Sequence, residues 1–201
     1  MNTLQTTALA VATAAALTTA TAAHAQFECY DFSGLAPDSK YTVGDVINAR
    51  HATITIKQYF WGGAPTTAEA RNAQVRNSKI AGGASPEMYL YLVSVNVVPN
   101  SPVTRVRTRL AQSIGGTGKY TNANIEVNGE RHESPSGFAA MNGKTIGQAS
   151  KGRASITSSM APYSDGNWLN GTLELRATQG AIESFTLGGH TWSIDDMCFA
   201  K

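Results

Sequence analysis

The chain has 201 residues, with 15% charged side chains and a formal net charge of +2. That charge is too small to steer a polyanion, so nucleic-acid binding is excluded as an expectation. Length and composition fit one globular domain with enough chain to bury its own core.

Residues 1–25 read as a targeting leader rather than fold. Leu9 to Leu17 is an Ala-rich apolar run, too short to span a bilayer, and Ala23-His24-Ala25 is a small-x-small cleavage site. A chain starting at Gln26 is therefore expected in an exported compartment, periplasmic or extracellular, as a single domain over residues 26–201. No other stretch is apolar enough to cross a membrane.

Period two dominates from there on. Short strands are expected at Phe27 to Phe32 and around Ala73 to Ser78. Ala52 to Trp61 alternates Ile54 and Ile56 with Thr53, Thr55 and Lys57. Met88 to Val98 is the most apolar run and reads as a central strand. Val103 to Leu110 sets Val106 and Leu110 on one face and Arg105, Arg107 and Arg109 on the other. Asn124 to Asn128 ends in an Asn128-Gly129 turn, and Gly115 to Gly118 reads as a loop. Ala154 to Ser158, Gly171 to Ala177, Ile182 to Leu187 and Thr191 to Phe199 complete the set, with Gly188-Gly189 expected to turn the chain between the last two. About nine strands result. They predict an all-β, antiparallel jelly-roll sandwich with its first and last strands adjacent.

Cys29 and Cys198 are the only two cysteines. In an oxidising compartment they have one intramolecular pairing, which would clasp the terminal strands. That clasp would bring Asp31 toward Asp195 and Asp196, with carbonyls from the Phe32 to Asp45 turn. These oxygens are candidate ligands of a structural calcium ion, the other reading being that the Asp residues cap turns or pair with Arg and Lys, and no other cofactor is indicated.

The aromatic side chains carry the binding expectation. Tyr59 and Trp61 end a strand. Trp168 follows Asp165 and Asn167 in a polar loop. Flat rings beside such polar groups suit stacking on a sugar and bonding to its hydroxyls. The other reading of Trp61 and Trp168 closes the ends of the core. The Arg105-Arg107-Arg109 face reads as cross-strand ion pairing with Glu126 and Glu174, or as contact with an anionic glycan. His51, His132 and His190 lack zinc spacing, and no nucleophile elbow or P-loop occurs.

The opening Cys29-Tyr-Asp-Phe-Ser-Gly-Leu with Tyr41-Thr-Val-Gly-Asp45, the middle Asn124-Ile-Glu-Val-Asn-Gly, and the ending Phe185-Thr-Leu-Gly-Gly…Ile194-Asp-Asp-Met-Cys198 together resemble a family of exported bacterial β-sandwich proteins. The ending also resembles the last strand of jelly-roll carbohydrate-binding modules. The resemblance implies the fold, export and the terminal cysteine pair, and it transfers no catalytic residue. The expected function is a non-enzymatic exported protein that binds a glycan or another cell-surface component. A matrix subunit and a glycoside-active enzyme are the alternatives. The oligomeric state is left open.

Overall fold

The structure is a computed structural model and describes residues 26–66, 71–83, 86–114 and 122–201. The leader expected over residues 1–25 and the Gly115 to Gly118 loop lie outside the described residues. Among the described residues fifteen strands form: β1 (Glu28–Tyr30), β2 (Lys40–Tyr41), β3 (Val46–Asn48), β4 (Ala52–Gln58), β5 (Phe60–Trp61), β6 (Ala64–Pro65), β7 (Asn72–Arg76), β8 (Glu87–Pro99), β9 (Arg105–Ser113), β10 (Ala123–Val127), β11 (Glu130–Ser134), β12 (Thr145–Ile146), β13 (Arg153–Pro162), β14 (Trp168–Gln179) and β15 (Phe185–Ala200). Nine were expected. The additional ones are mostly pieces of two to five residues, too short to show a period.

All pairings among these strands are antiparallel, and the main path runs β12-β13-β14-β9-β15-β8-β4-β3. The result is an all-β antiparallel sandwich around one apolar core. The sheet wraps that core because its longest strands change face along their length. In β8 the core residues are Met88 and Leu90, then Val93, Val95 and Val97. The switch falls at Leu92, whose φ is +51°. In β15 the core residues are Phe185 and Leu187, then Trp192 and Ile194, then Met197 and Phe199. The second switch is a bulge against β9 between Asp195 and Cys198, with Asp196 at φ +47°.

β15 is therefore one sixteen-residue strand where two strands and a Gly188-Gly189 turn were expected. The glycines make room instead of turning the chain. A Cβ on Gly188 would lie 2.2 Å from Ser94 Oγ and 2.6 Å from Asn124 Oδ1. The expected turn at Asn128-Gly129 does form, with φ +50° and +87°, and joins β10 to β11. The terminal strands are adjacent: β1 pairs with β15, Cys29 lies directly opposite Cys198, and the two are joined as a disulfide. Among the described residues no helix is long and apolar enough to cross a membrane.

Candidate functional site

Strand register assembles one outward surface from distant segments. On β14, β9, β15, β8 and β7, side chains of one parity point away from the core. One row carries Trp168 opposite Ser113, then Thr191 opposite Tyr91, and Tyr91 opposite Asn72. The adjacent row carries Asn170, Ala111, Ser193, Tyr89 and Gln74. Trp168, Tyr89, Tyr91, Thr191, Asn72 and Gln74 are all half-buried, while Ala111 and Ser193 between them are wholly buried.

The rings account for part of that cover. Trp168 meets Tyr89 edge to face, centroids 6.4 Å apart at 64°. The Arg76 guanidinium lies 3.6 Å from the Tyr89 ring centre and donates to Gln74 Oε1 at 3.1 and 3.0 Å. His190 stands perpendicular to Tyr91 at 5.4 Å, and its Nδ1 is 2.9 Å from Thr191 Oγ1. Burial holds the His190 imidazole below its usual pKa. The surface thus has an aromatic floor edged by amides, hydroxyls and a guanidinium. Flat apolar faces beside hydrogen-bonding groups can stack on an apolar ring face and bond to polar groups at its edge.

Asp165 and Asn167 lie beside Trp168 in a tight exposed turn. Asn167 donates its backbone N–H to Asp165 Oδ1 at 2.9 Å and its side-chain amide to the Asp165 carbonyl at 3.2 Å. The turn delivers Trp168 to the start of β14, where its carbonyl accepts from Tyr163 N–H.

Trp61 belongs to a second cluster. Its ring stacks on Tyr59 at 6.5 Å and 18°. Asn124 donates to the Phe60 carbonyl, Gly62 N–H donates to Glu133 Oε2 at 2.9 Å, and Arg131 lies over the Phe60 ring. Tyr59 is only 1% exposed, so it forms the packing under Trp61 and is not open to a ligand. Burial, then the nearby Glu133, push its phenol pKa well up. Trp61 and Trp168 therefore each sit, half-buried, on a tyrosine of their own. Trp192 is wholly buried and donates to the Val93 carbonyl.

The carboxylates expected for calcium do not converge. Asp31 accepts from the hydroxyl and the N–H of Ser33, which hold its pKa low. Asp195 is wholly buried on the sheet face toward Gly83, while Asp196, on the bulge, pairs with Arg109 Nε at 2.9 Å. Successive residues around a bulge point apart, and that separates the pair. Among the described residues no group of three or more His, Cys, Asp or Glu is placed to hold a metal ion. The expected partner Glu174 does bind Arg105, but Glu126 turns instead to Arg131 at 2.7 Å across the β10–β11 hairpin.

Sequence reasoning found Trp168 and its turn but missed Tyr89, Tyr91, Arg76 and Gln74. Two tyrosines at i and i+2 in an otherwise aliphatic run were the available signal, since both must share one face. Comparison with protein-family models, with curated proteins and with solved structures finds no match, so what stands of the resemblance is the β-rich fold.

Proposed function

We propose that the chain is an exported, non-enzymatic glycan-binding protein and that the Trp168–Tyr91 surface is its binding face. The observation that carries this reading is the half-exposed Trp168 beside Tyr89 and Tyr91, framed by Asn72, Gln74, Arg76 and Thr191. A sugar ring presents apolar C–H faces to such rings and hydroxyls to such a frame. Export is supported by the Cys29–Cys198 disulfide, a bond that persists in oxidising compartments, and by the leader read from residues 1–25.

The test is retention on a panel of immobilised polysaccharides. Trp168→Ala and Tyr91→Ala weaken retention about tenfold or more, while circular dichroism stays native. Trp61→Ala, in the separate cluster, leaves it unchanged. Absence of retention by the unsubstituted protein, or retention that survives Trp168→Ala, overturns the reading.

A further inference from the structure

The three arginines of β9 point outward together and, among the described residues, pair with two carboxylates. Glu174 lies directly opposite Arg107 in the β9–β14 register. Its carboxylate nevertheless turns along the strand to Arg105, accepting from Nε at 3.1 Å and from Nη2 at 2.9 Å. Asp196 takes Nε of Arg109, whose Nη1 donates to the Gly82 carbonyl at 3.1 Å. Arg107 is left with no acidic partner among the described residues. Its guanidinium lies 4.7 Å from the ring centre of Phe27, a contact that orients the cation without neutralising it.

Arg107 is exposed and opens onto a pocket of about 420 Å³, which it shares with Arg109, Thr172, Asp196 and the Cys29–Cys198 disulfide. Counting Arg107 and Arg109 against Asp196 gives the pocket a surplus positive charge. Two guanidinium groups on alternate residues rise from Cα atoms about 7 Å apart, and the exposed Thr172, opposite Arg109 on β14, lines the same pocket. Asp196 already offsets Arg109, so the surplus charge is that of Arg107, and an anion entering the pocket beside Arg107 would offset it. Arg107, Arg109 and Thr172 line this one pocket, and donors on three residues suit an oxyanion with more than two oxygens better than a planar carboxylate.

We propose that this pocket binds the tetrahedral oxyanion of a phosphate or sulfate ester, with Arg107 as its principal cation. Along β9, Arg107 is six residues from Ser113, the strand partner of Trp168. That is about 20 Å of extended chain. The site thus stands apart from the aromatic surface and does not depend on the glycan reading.

Calorimetric titration of the full protein at low ionic strength tests it, with inorganic phosphate, glucose 6-phosphate, glucose 6-sulfate, glycerol 3-phosphate, acetate and glucose as separate probes. Saturable binding of inorganic phosphate is expected, and the three esters show which scaffold improves on it. Arg107→Gln weakens phosphate binding about tenfold or more at an unchanged melting temperature, because Arg107 is exposed. Arg107→Lys weakens it less. Trp168→Ala leaves it intact whether or not that substitution affects glycan retention, so the two readings fail separately. No saturable binding of any ester, acetate binding as tightly as phosphate, or undiminished binding by Arg107→Gln overturns the proposal.

Discussion

Tyr89 and Trp168 stand on strands separated by two others, β15 and β9, yet their rings meet at 6.4 Å. Adjacent strands lie about 4.8 Å apart, so both side chains lean inward over the small residues between them. This explains why Ala111 and Ser193, on the outward face, are wholly buried. Edge-to-face pairs contribute about 0.5–1.5 kcal/mol beyond their buried area. A double-mutant cycle with Tyr89→Leu and Trp168→Leu, read by urea unfolding, is expected to give a coupling energy of about 1 kcal/mol. Additive single effects would show that the two rings act independently.

Much of the fold was legible because the long strands alternate. The arginine face of β9, the Asn128-Gly129 turn and the cysteine clasp all follow from parity, turn chemistry and cysteine count. What failed was reading glycine only as a turn former. Gly188 and Gly189 sit inside β15 because neighbouring side chains crowd the backbone there, and crowding is a property of strand order that one segment cannot reveal. Asn128 shows the same limit. Its side chain accepts from Glu183 and Ser184 N–H and donates to the Lys151 and Ala181 carbonyls, tying three loops together. From sequence it was only the first residue of a turn. The aromatic surface was half visible: Trp168 stood out in a polar loop, whereas Tyr89 and Tyr91 were hidden in a run that read as core.

The disulfide closes a loop of 169 residues. On the loop-entropy account, opening it frees the unfolded chain and costs on the order of 5 kcal/mol of stability. Reduction, or the Cys29→Ser, Cys198→Ser pair, is expected to lower the unfolding free energy by about 4–5 kcal/mol in denaturant titrations. Much of that change should lie in the unfolded state, seen as a larger m-value for the reduced chain. Equal stability of the oxidised and reduced forms would mean that strand pairing alone holds the termini.

Gly188→Ala tests the account of β15. The added methyl would overlap Ser94 Oγ and Asn124 Oδ1, both on buried residues. Overpacking of this kind costs about 1–3 kcal/mol. Shortening a neighbour should restore part of the loss, so Gly188→Ala with Ser94→Gly is expected to be more stable than Gly188→Ala with an unrelated surface change. Thermal unfolding of the variants decides it. Wild-type stability in Gly188→Ala would remove crowding as the reason for the glycine.

Acid sensitivity should trace in part to His190. Burial lowers its pKa in the folded protein below the value near 6.5 that the unfolded chain takes. Once pH falls below that value, the unfolded chain binds a proton that the folded one resists, so acid favours unfolding. Its contribution is present in full above about pH 6.5 and is lost as pH falls toward the folded pKa. Asp31 acts in a separate, lower window: its bonds to Ser33 hold its pKa below 3.8, so its contribution is lost only as pH falls past that point. Between pH 7.5 and pH 4.5 the unfolding free energy of the wild type should therefore fall more steeply than that of His190→Gln, because only the wild type loses the His190 contribution. Parallel curves would show that protonating His190 costs the fold nothing. Because His190 stands edge-on to Tyr91 at the rim of the aromatic surface, the same titration followed by glycan retention would show whether the charge on that imidazole also tunes the face beside it.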